Sequence, residues 1–296
     1  MERASTERMY YPDNERMDVR LFTSGSSASN PGLFAVIVLL LVRPGKAIYE
    51  TCSGKTMLKS GGLTCLDRQI ILDTHNKLRQ SVAQGGVANQ PAAANMMELV
   101  WDQELASVAQ KWASRCILAH DASRDVARFP VGQNIASTWT TRTNISPEPN
   151  FPQQITAWFN EVHQFRFYTT GFTPATGHYS QLVWGDSYLI GCGYSFYYDQ
   201  SKGYTKLYVC NYGPGGNIIG ARPYTVGSAN CQPQSTRYQG LCGVKSYTYL
   251  DRLCSNEPIT STTQTTVNPW KTFQNAVIAA NIPQHTNNSS SWYYYG

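Results

Sequence analysis

The chain has little charge, with 15% of its 296 residues Asp, Glu, Lys or Arg. It contains no run of Lys and Arg interleaved with aromatics, and the formal net charge of +5 is spread along the chain. A nucleic-acid-binding stripe is thereby excluded, and acidic surfaces such as anionic lipid are favoured only weakly. A long apolar segment is also lacking. The run Leu33–Val42 is ten residues long, where a membrane-spanning helix needs about 20. There is no CxxC, so neither a zinc ribbon nor a thioredoxin-like motif is supported. No internal repeat is evident. Histidine is scarce, at five, and each one is weighed as ligand or base against the commoner role of a hydrogen-bonded structural residue.

What is present describes a folded, exported protein. Eight cysteines, an even number, point to pairing in an oxidising compartment. The short apolar run follows Arg20 and precedes Pro44-Gly45-Lys46-Ala47, which reads as a secretory signal cleaved near Ala47. The stretch before it is long for such a signal. Met17 makes a more typical start, and residues 1–16 read as a misplaced gene start. The alternative, a type II anchor, is disfavoured by the shortness of the run.

Helical periodicity then takes over. Thr64-x-x-Asp67 resembles a capping box. Ile71, Leu72, His75, Leu78 and Val82 recur at helical spacing until Gly85-Gly86. Asp102 caps a second helix with Leu105, Val108, Ala109, Trp112, Ala113 and Cys116 on one stripe. Ile155, Trp158, Phe159, Val162 and Phe165 mark a third, with Glu161 bordering the buried face and therefore needing a partner. Many of the 19 tyrosines fall between residues 188 and 212, where two strands read as a hairpin, Tyr188–Asp199 and Tyr204–Tyr212. Cys192 and Cys210 are symmetric about Ser201. That register pairs Asp199 with Gly203 across a three-residue loop and sets the two cysteines opposite each other, in position for a cross-strand disulfide. Asn144-Ile145-Ser146 is a glycosylation sequon, and two more begin at Asn287 and Asn288.

The stretch Gly177-His178-Tyr179-Ser180-Gln181-Leu182-Val183-Trp184 puts one imidazole among apolar and aromatic neighbours. With Leu207-Tyr208-Val209-Cys210-Asn211-Tyr212-Gly213-Pro214-Gly215-Gly216-Asn217, and with His120-Asp121 followed by Gly132-Gln133-Asn134-Ile135-Ala136, it resembles the signatures of the CAP superfamily. That superfamily comprises cysteine-rich secretory proteins, antigen 5 and plant pathogenesis-related class 1 proteins, and the antigen-5 (venom allergen) branch is the nearest in pattern. The resemblance runs from about Leu72 to about Ile218. It implies an α+β fold: a three-layer α-β-α sandwich around a central antiparallel sheet, here with a cysteine-containing C-terminal extension. The expected division is an upstream extension and signal at 1–47 and a cysteine-containing segment at 48–66. The CAP domain follows at 67–222, then the extension at 223–256 and a disordered Thr/Ser/Asn-rich tail at 257–296. The resemblance also implies pairing of Cys52 with Cys116. Cys65, Cys231, Cys242 and Cys254 are then left with three connectivities, of which a local Cys231–Cys242 pairing is favoured. His75-Asn76-x-x-Arg79 matches a pattern common in the family, and His75 is read as a packing or hydrogen-bonding residue, not a ligand.

Carried over residue by residue, the family's cleft maps to His120, Gln133, Glu161 and His178. The wider family usually has Glu where this chain has Gln133. Gln133 can hydrogen-bond but cannot exchange a proton near neutral pH, which weakens a paired-acid chemistry. Two imidazoles, His120 and His178, remain as a weak, exchangeable site for an ion such as Zn²⁺. Ser180, two residues after His178, would share its face in an extended segment, but no orienting acid or oxyanion hole is evident. The expected protein is secreted, monomeric and non-catalytic, without a membrane span once mature. It binds an extracellular protein target or a sterol or lipid, the latter through Trp158, Phe165, Phe167 and Phe172. Core packing is the competing explanation for those four. The alternative function is a metal-assisted protease or hydrolase using His120, His178 and Glu161. The three cysteines after Ile218 are too few for the cysteine-dense module of the relatives that modulate ion channels.

Overall fold

The computed structural model describes residues 51–52, 54–169, 172–244 and 293–294. The signal, Cys254 and the sequons at Asn287 and Asn288 lie outside the described residues, as does most of the tail.

The N-terminal part begins with two short strands, β1 (Thr51–Cys52) and β2 (Lys55–Ser60), and the helix α1 (Cys65–Ala83). The capping box is formed: the Thr64 side chain accepts from Asp67 N, and Asp67 Oδ2 accepts from Thr64 N at 2.9 Å. Strand β3 (Val100–Trp101) leads into α2 (Gln103–Ala113), where Asp102 accepts from Leu105 N at 2.9 Å. After β4 (Gly132–Thr140) comes α3 (Phe151–Asn160), and Glu161–His163 tighten into a 3-10 turn. The third helix is thus shorter than its apolar spacing predicts. A second 3-10 turn, Pro174–Thr176, leads directly into α4 (Gly177–Leu182). The hairpin β5 (Leu189–Asp199) and β6 (Gly203–Gly213) follows, and β7 (Tyr293–Tyr294) pairs with Ala136 and Ser137 of β4.

The sheet runs β1-β2-β5-β6-β4-β7 with antiparallel neighbours, and β3 pairs in parallel with β5. Cys192 stands opposite Cys210 and Asp199 opposite Gly203, the register predicted from the sequence. The layers are an α-β-α sandwich. One face packs Cys192, Tyr194, Phe196, Tyr208 and Tyr212 against residues of α1, α3 and α4, among them Ile71, Trp158 and Tyr179. The other packs Ile135, Tyr197, Leu207 and Val209 under Ala109 and Ala113 of α2. That second contact is backbone-close. A Cβ on Gly191 would fall 2.1 Å from Ala106 N, and one on Gly193 would fall 2.4 Å from Gln110 N. Any larger residue at either position would push α2 off the sheet.

Disulfides join Cys52 to Cys116, Cys192 to Cys210 and Cys231 to Cys242. Cys65 is also disulfide-bonded. The cysteine-containing extension packs on α1: the Tyr238 hydroxyl donates to Asp73, and Gln80 and Gln84 both donate to Gln239 O. Among the described residues no helix is long and apolar enough to cross a membrane.

Candidate functional site

Four elements carry the four predicted residues, which form two contacting pairs, His120 with Gln133 and His178 with Glu161. His178 enters from α4, Glu161 from the turn ending α3, Gln133 from β4 and His120 from the loop after α2. Each is set by a contact of its own.

The loop that carries His120 is pinned on both sides. Trp112 Nε1 donates to Ala119 O at 2.8 Å, and Arg124 donates to Asp121 O and Val131 O, both at 2.7 Å. Gln133 then ties this loop to the sheet. Its Oε1 accepts from Asp121 N at 3.0 Å and lies 3.0 Å from His120 Nδ1, while Nε2 donates to Asn211 Oδ1 at 2.9 Å. Asn211 is the cross-strand neighbour of Gln133 on β6. A backbone N–H can only donate, so the Asp121 bond fixes the amide orientation of Gln133. His120 Nδ1 must therefore carry a proton, and the neutral ring has its lone pair on Nε2.

The same logic orients the second ring. Glu161 Oε2 accepts from Tyr179 N at 3.1 Å, and Oε1 accepts from His178 Nδ1 at 2.6 Å. The His178 side chain is 1% exposed and that of Glu161 13%, so the pair sits at the edge of the core. Trp158 stacks on the imidazole with centroids 6.0 Å apart and planes 15° from parallel. The carboxylate partner expected for Glu161 is thus an imidazole and a backbone amide. A charge-assisted bond of this kind is worth about 1.5–3 kcal/mol.

The sequence treats the His178 segment as extended, but it is helical. Residues two apart in a helix do not share a face, and Ser180 points elsewhere. Its Oγ donates to Asn217 Oδ1 at 2.6 Å and also lies 3.1 Å from Thr176 O. Asn217 returns a bond from Nδ2 to Gly177 O at 2.8 Å. The short helix is held from outside, which explains why local sequence does not announce it. Gln181 Oε1 accepts from Gly216 N at 2.8 Å and lies against Gly132, where a Cβ would fall 1.9 Å from that oxygen. A side chain at 132 would therefore displace the Gln181 amide from its bond to Gly216 N.

Sequence reasoning missed four residues that support the cleft: Asn134, Asn211, Gln181 and Asn217. Asn134 Nδ2 donates to His178 O at 3.0 Å. The available signal was an amide among apolar neighbours on a buried strand, as with Asn211 between Cys210 and Tyr212. The aromatic residues named as a lipid surface fall differently. Trp158, Phe165 and Phe167 are buried in the main core, and Phe172 is half-buried.

Among the described residues no group of three or more His, Cys, Asp and Glu side chains is disposed to hold a metal ion. Each of the two imidazoles has an acceptor behind Nδ1, Gln133 Oε1 for His120 and Glu161 Oε1 for His178. That backing is the usual outer shell of ligating histidines.

Residues 72–212 match the model of the cysteine-rich secretory protein family, CAP. A salivary antigen-5 of Dipetalogaster maximus is 35% identical over 73% of this chain and 90% of its own length. The chain belongs to the CAP family. This CAP chain is also 41% identical to venom allergen 5 of Polistes dominula, over 60% of its own length and 79% of that protein. With venom allergen 5 of Tityus serrulatus it shares 40% identity over 66% of this chain, which spans about half, 51%, of that relative. The solved structure of BmVAL-1 has the same fold, with a TM-score of 0.53 at 24% identity over 64% of this chain and all of that one. Antigen-5-like CAP membership and the α-β-α sandwich with its disulfide-bearing C-terminal region are thereby established.

Proposed function

We propose that this CAP chain is a secreted, monomeric, non-catalytic binding protein whose cleft takes up a divalent ion weakly through Nε2 of His120 and His178. Export is supported by the disulfides and by the leader-like run at Leu33–Val42. The observation that carries the non-catalytic reading is the locked Gln133 amide, which holds Asp121, His120 and Asn211 together where an acid–base mechanism needs a proton-exchanging partner for Glu161. The Ser180 hydroxyl is committed to Asn217, so it is not a nucleophile activated by His178. A bound ion would act there as a Lewis acid. With two side-chain ligands, exchangeable binding is what the donor set supports.

The ligand proposed is an extracellular protein target first and a sterol or lipid second. Burial of Trp158, Phe165 and Phe167 supports core packing as their role. The alternative, a metal-assisted protease or hydrolase using His120, His178 and Glu161, is tested together with the main reading. A peptide library is incubated with the secreted protein, with and without chelator, beside His178→Ala. The binding reading expects no cleavage above background in any arm. Chelator-sensitive cleavage lost in His178→Ala overturns it.

A further inference from the structure

We infer that the outer edge of β4 is a strand-addition site for an extended, aromatic-bearing peptide, and that the chain's own strand β7 occupies it in cis as a displaceable competitor. The direction of the backbone groups on β4 follows from the hairpin. Ile190 O accepts from Asp102 N at 2.8 Å, and Tyr194 O accepts from Gly61 N at 2.9 Å. Tyr194 N donates to the Gln110 side chain at 2.9 Å. These β5 groups therefore face away from β6. In an antiparallel ladder the bonding direction alternates from one residue to the next. Tyr208, opposite Tyr194, thus turns its N–H and C=O toward Ala136 of β4. Ala136 is engaged by β6, and Ile135, Ser137 and Trp139 direct their N–H and C=O to the outer edge.

That edge is nine residues long, and among the described residues β7 pairs with two of them, Ser137 with Tyr293 and Ala136 with Tyr294. The edge of a sheet is a template for pairing with another chain, and main-chain bonds to such an edge supply the affinity in β-strand addition. A two-residue strand makes few of them, where the usual strand has about 5–6 residues. An incoming strand of ordinary length makes more bonds to β4 than β7 does, and so displaces it.

The register sets the chemistry of the partner. β7 places two tyrosines opposite two small residues, Ala136 and Ser137. Trp139, on the same face of β4 as Ser137, is half-buried, and the Lys202 ammonium lies 4.7 Å from its ring centroid. An aromatic side chain opposite Ser137 is the diagonal neighbour of Trp139, close enough for the two rings to interact. The site therefore takes a peptide with consecutive aromatic residues, running antiparallel to β4. This gives the protein-target reading a surface and rests on that reading for the class of partner; its test does not involve the cleft.

A fluorescent peptide Ser-Trp-Tyr-Tyr-Tyr-Gly, the sequence of residues 291–296, is titrated by anisotropy against the full-length secreted protein and its Tyr293→Pro variant. Proline removes the N–H that faces Ser137 and so opens the edge. Tyr293→Pro should bind the peptide about tenfold more tightly than the parent, the factor that corresponds to nine-tenths occupancy in cis. A peptide N-methylated at the position of Tyr293 should not bind, whereas one N-methylated at the position of Tyr294, whose N–H faces away from β4, should bind as the unmodified peptide does. Adding Ser137→Pro to Tyr293→Pro removes an outward N–H and leaves the β4–β6 ladder its bonds, so binding should be lost; a melting temperature verifies that this variant folds, and the methylated peptides test the register whether it does or not. The proposal is overturned if the peptide does not bind Tyr293→Pro, if parent and Tyr293→Pro bind it equally, if the two methylated peptides bind alike, or if a folded Ser137→Pro, Tyr293→Pro variant still binds.

Discussion

His75 and His178 are both buried, both hydrogen-bonded and both on helices packed against the same face of the sheet, yet they are built for different work. His75 Nδ1 donates to Ile71 O at 2.8 Å, one turn back on α1, and Nε2 accepts from the Tyr212 hydroxyl at 2.9 Å. That hydroxyl in turn accepts from Asn134 Nδ2 at 3.3 Å. Burial, with the nearby Arg79 charge adding to it and the Ile71 bond opposing it, pushes the His75 pKa down to about 3. The ring is a neutral strut. His178 instead has a carboxylate behind Nδ1 and lies beside a partly exposed acid. Burial alone therefore does not mark a site. What differs is the partner: neutral carbonyl and hydroxyl for the strut, a carboxylate at the core's edge for the cleft.

The two regions are joined by Arg79, and its removal should have the largest effect. The guanidinium is fully buried and makes six hydrogen bonds to five backbone carbonyls: Met97, Leu182, Trp184, Gly185 and Ser187. It thus caps the end of α4 and holds the loop to β5. Burial lowers its pKa to about 9, still above neutral, so the group is charged. Arg79→Lys keeps a positive charge but cannot span five carbonyls with three donors. Unfolding by urea should read a loss of about 3–5 kcal/mol. A loss below about 1 kcal/mol would mean that α4 holds its own geometry, and the link between strut and cleft would be broken.

A second, smaller effect separates the histidines by pH. The folded pKa of His75 is depressed below its ordinary value of about 6.5. Its contribution to stability is complete above the unfolded pKa and is lost as pH falls toward about 3, because only the unfolded chain then takes up the proton. The slope is about 1.4 kcal/mol per pH unit once the unfolded ring is protonated. His75→Gln should be less stable at neutral pH and should lack this component. The stability gap between parent and variant should therefore narrow between pH 7 and pH 5 by about 2 kcal/mol. A gap that stays constant would show that His75 takes up a proton inside the fold.

The caps and the hairpin were legible in the sequence because they rest on local or register-bound signals, whereas the His75 strut was read from a family pattern and takes its Nε2 partner from Tyr212, 137 residues away. Thr64 and Asp67 are three residues apart and cap α1 as that spacing dictates. Cys192 and Cys210 fix the hairpin, whose register follows from counting to Ser201. The cleft residues His120, Gln133, Glu161 and His178 were named from motifs, but their arrangement was not readable. The helix α4 depends on Asn217, 37 residues beyond Ser180, and on Arg79, more than 100 residues before Trp184. Gln133 likewise takes its role from Asn211 on another strand, 78 residues away. Contacts of that separation have no periodicity to betray them. An aromatic run such as Trp158 to Phe167 reads alike whether it lines a surface or fills a core; Trp158 and Phe165 lie against His178 and Tyr179 of α4, and Phe167 lies against Tyr224.

The smallest expected effect probes the cleft alone. In Gln133→Glu, one carboxylate oxygen can keep the bonds to His120 Nδ1 and Asp121 N. The other would face Asn211 Oδ1, which now accepts from Gln133 Nε2. Rotation of the Asn211 amide relieves that clash by presenting Nδ2, at the expense of its long 3.5 Å contact with Leu105 O. The variant should then fold with little loss. A carboxylate behind His120 Nδ1 would match the one behind His178, raising the basicity of Nε2. Outer-shell partners of this kind change metal affinity by about 10–100-fold. Zn²⁺ affinity by titration calorimetry should therefore rise about tenfold, and more at higher pH as the new acid ionises and the repulsion between the two carboxylates is relieved by the ion. The same titration on His75→Gln should match the parent. Equal Zn²⁺ affinities for parent and Gln133→Glu at every pH would mean that Gln133 does not back a metal ligand. The cleft would then be a second structural strut, and the contrast between the two histidines would collapse.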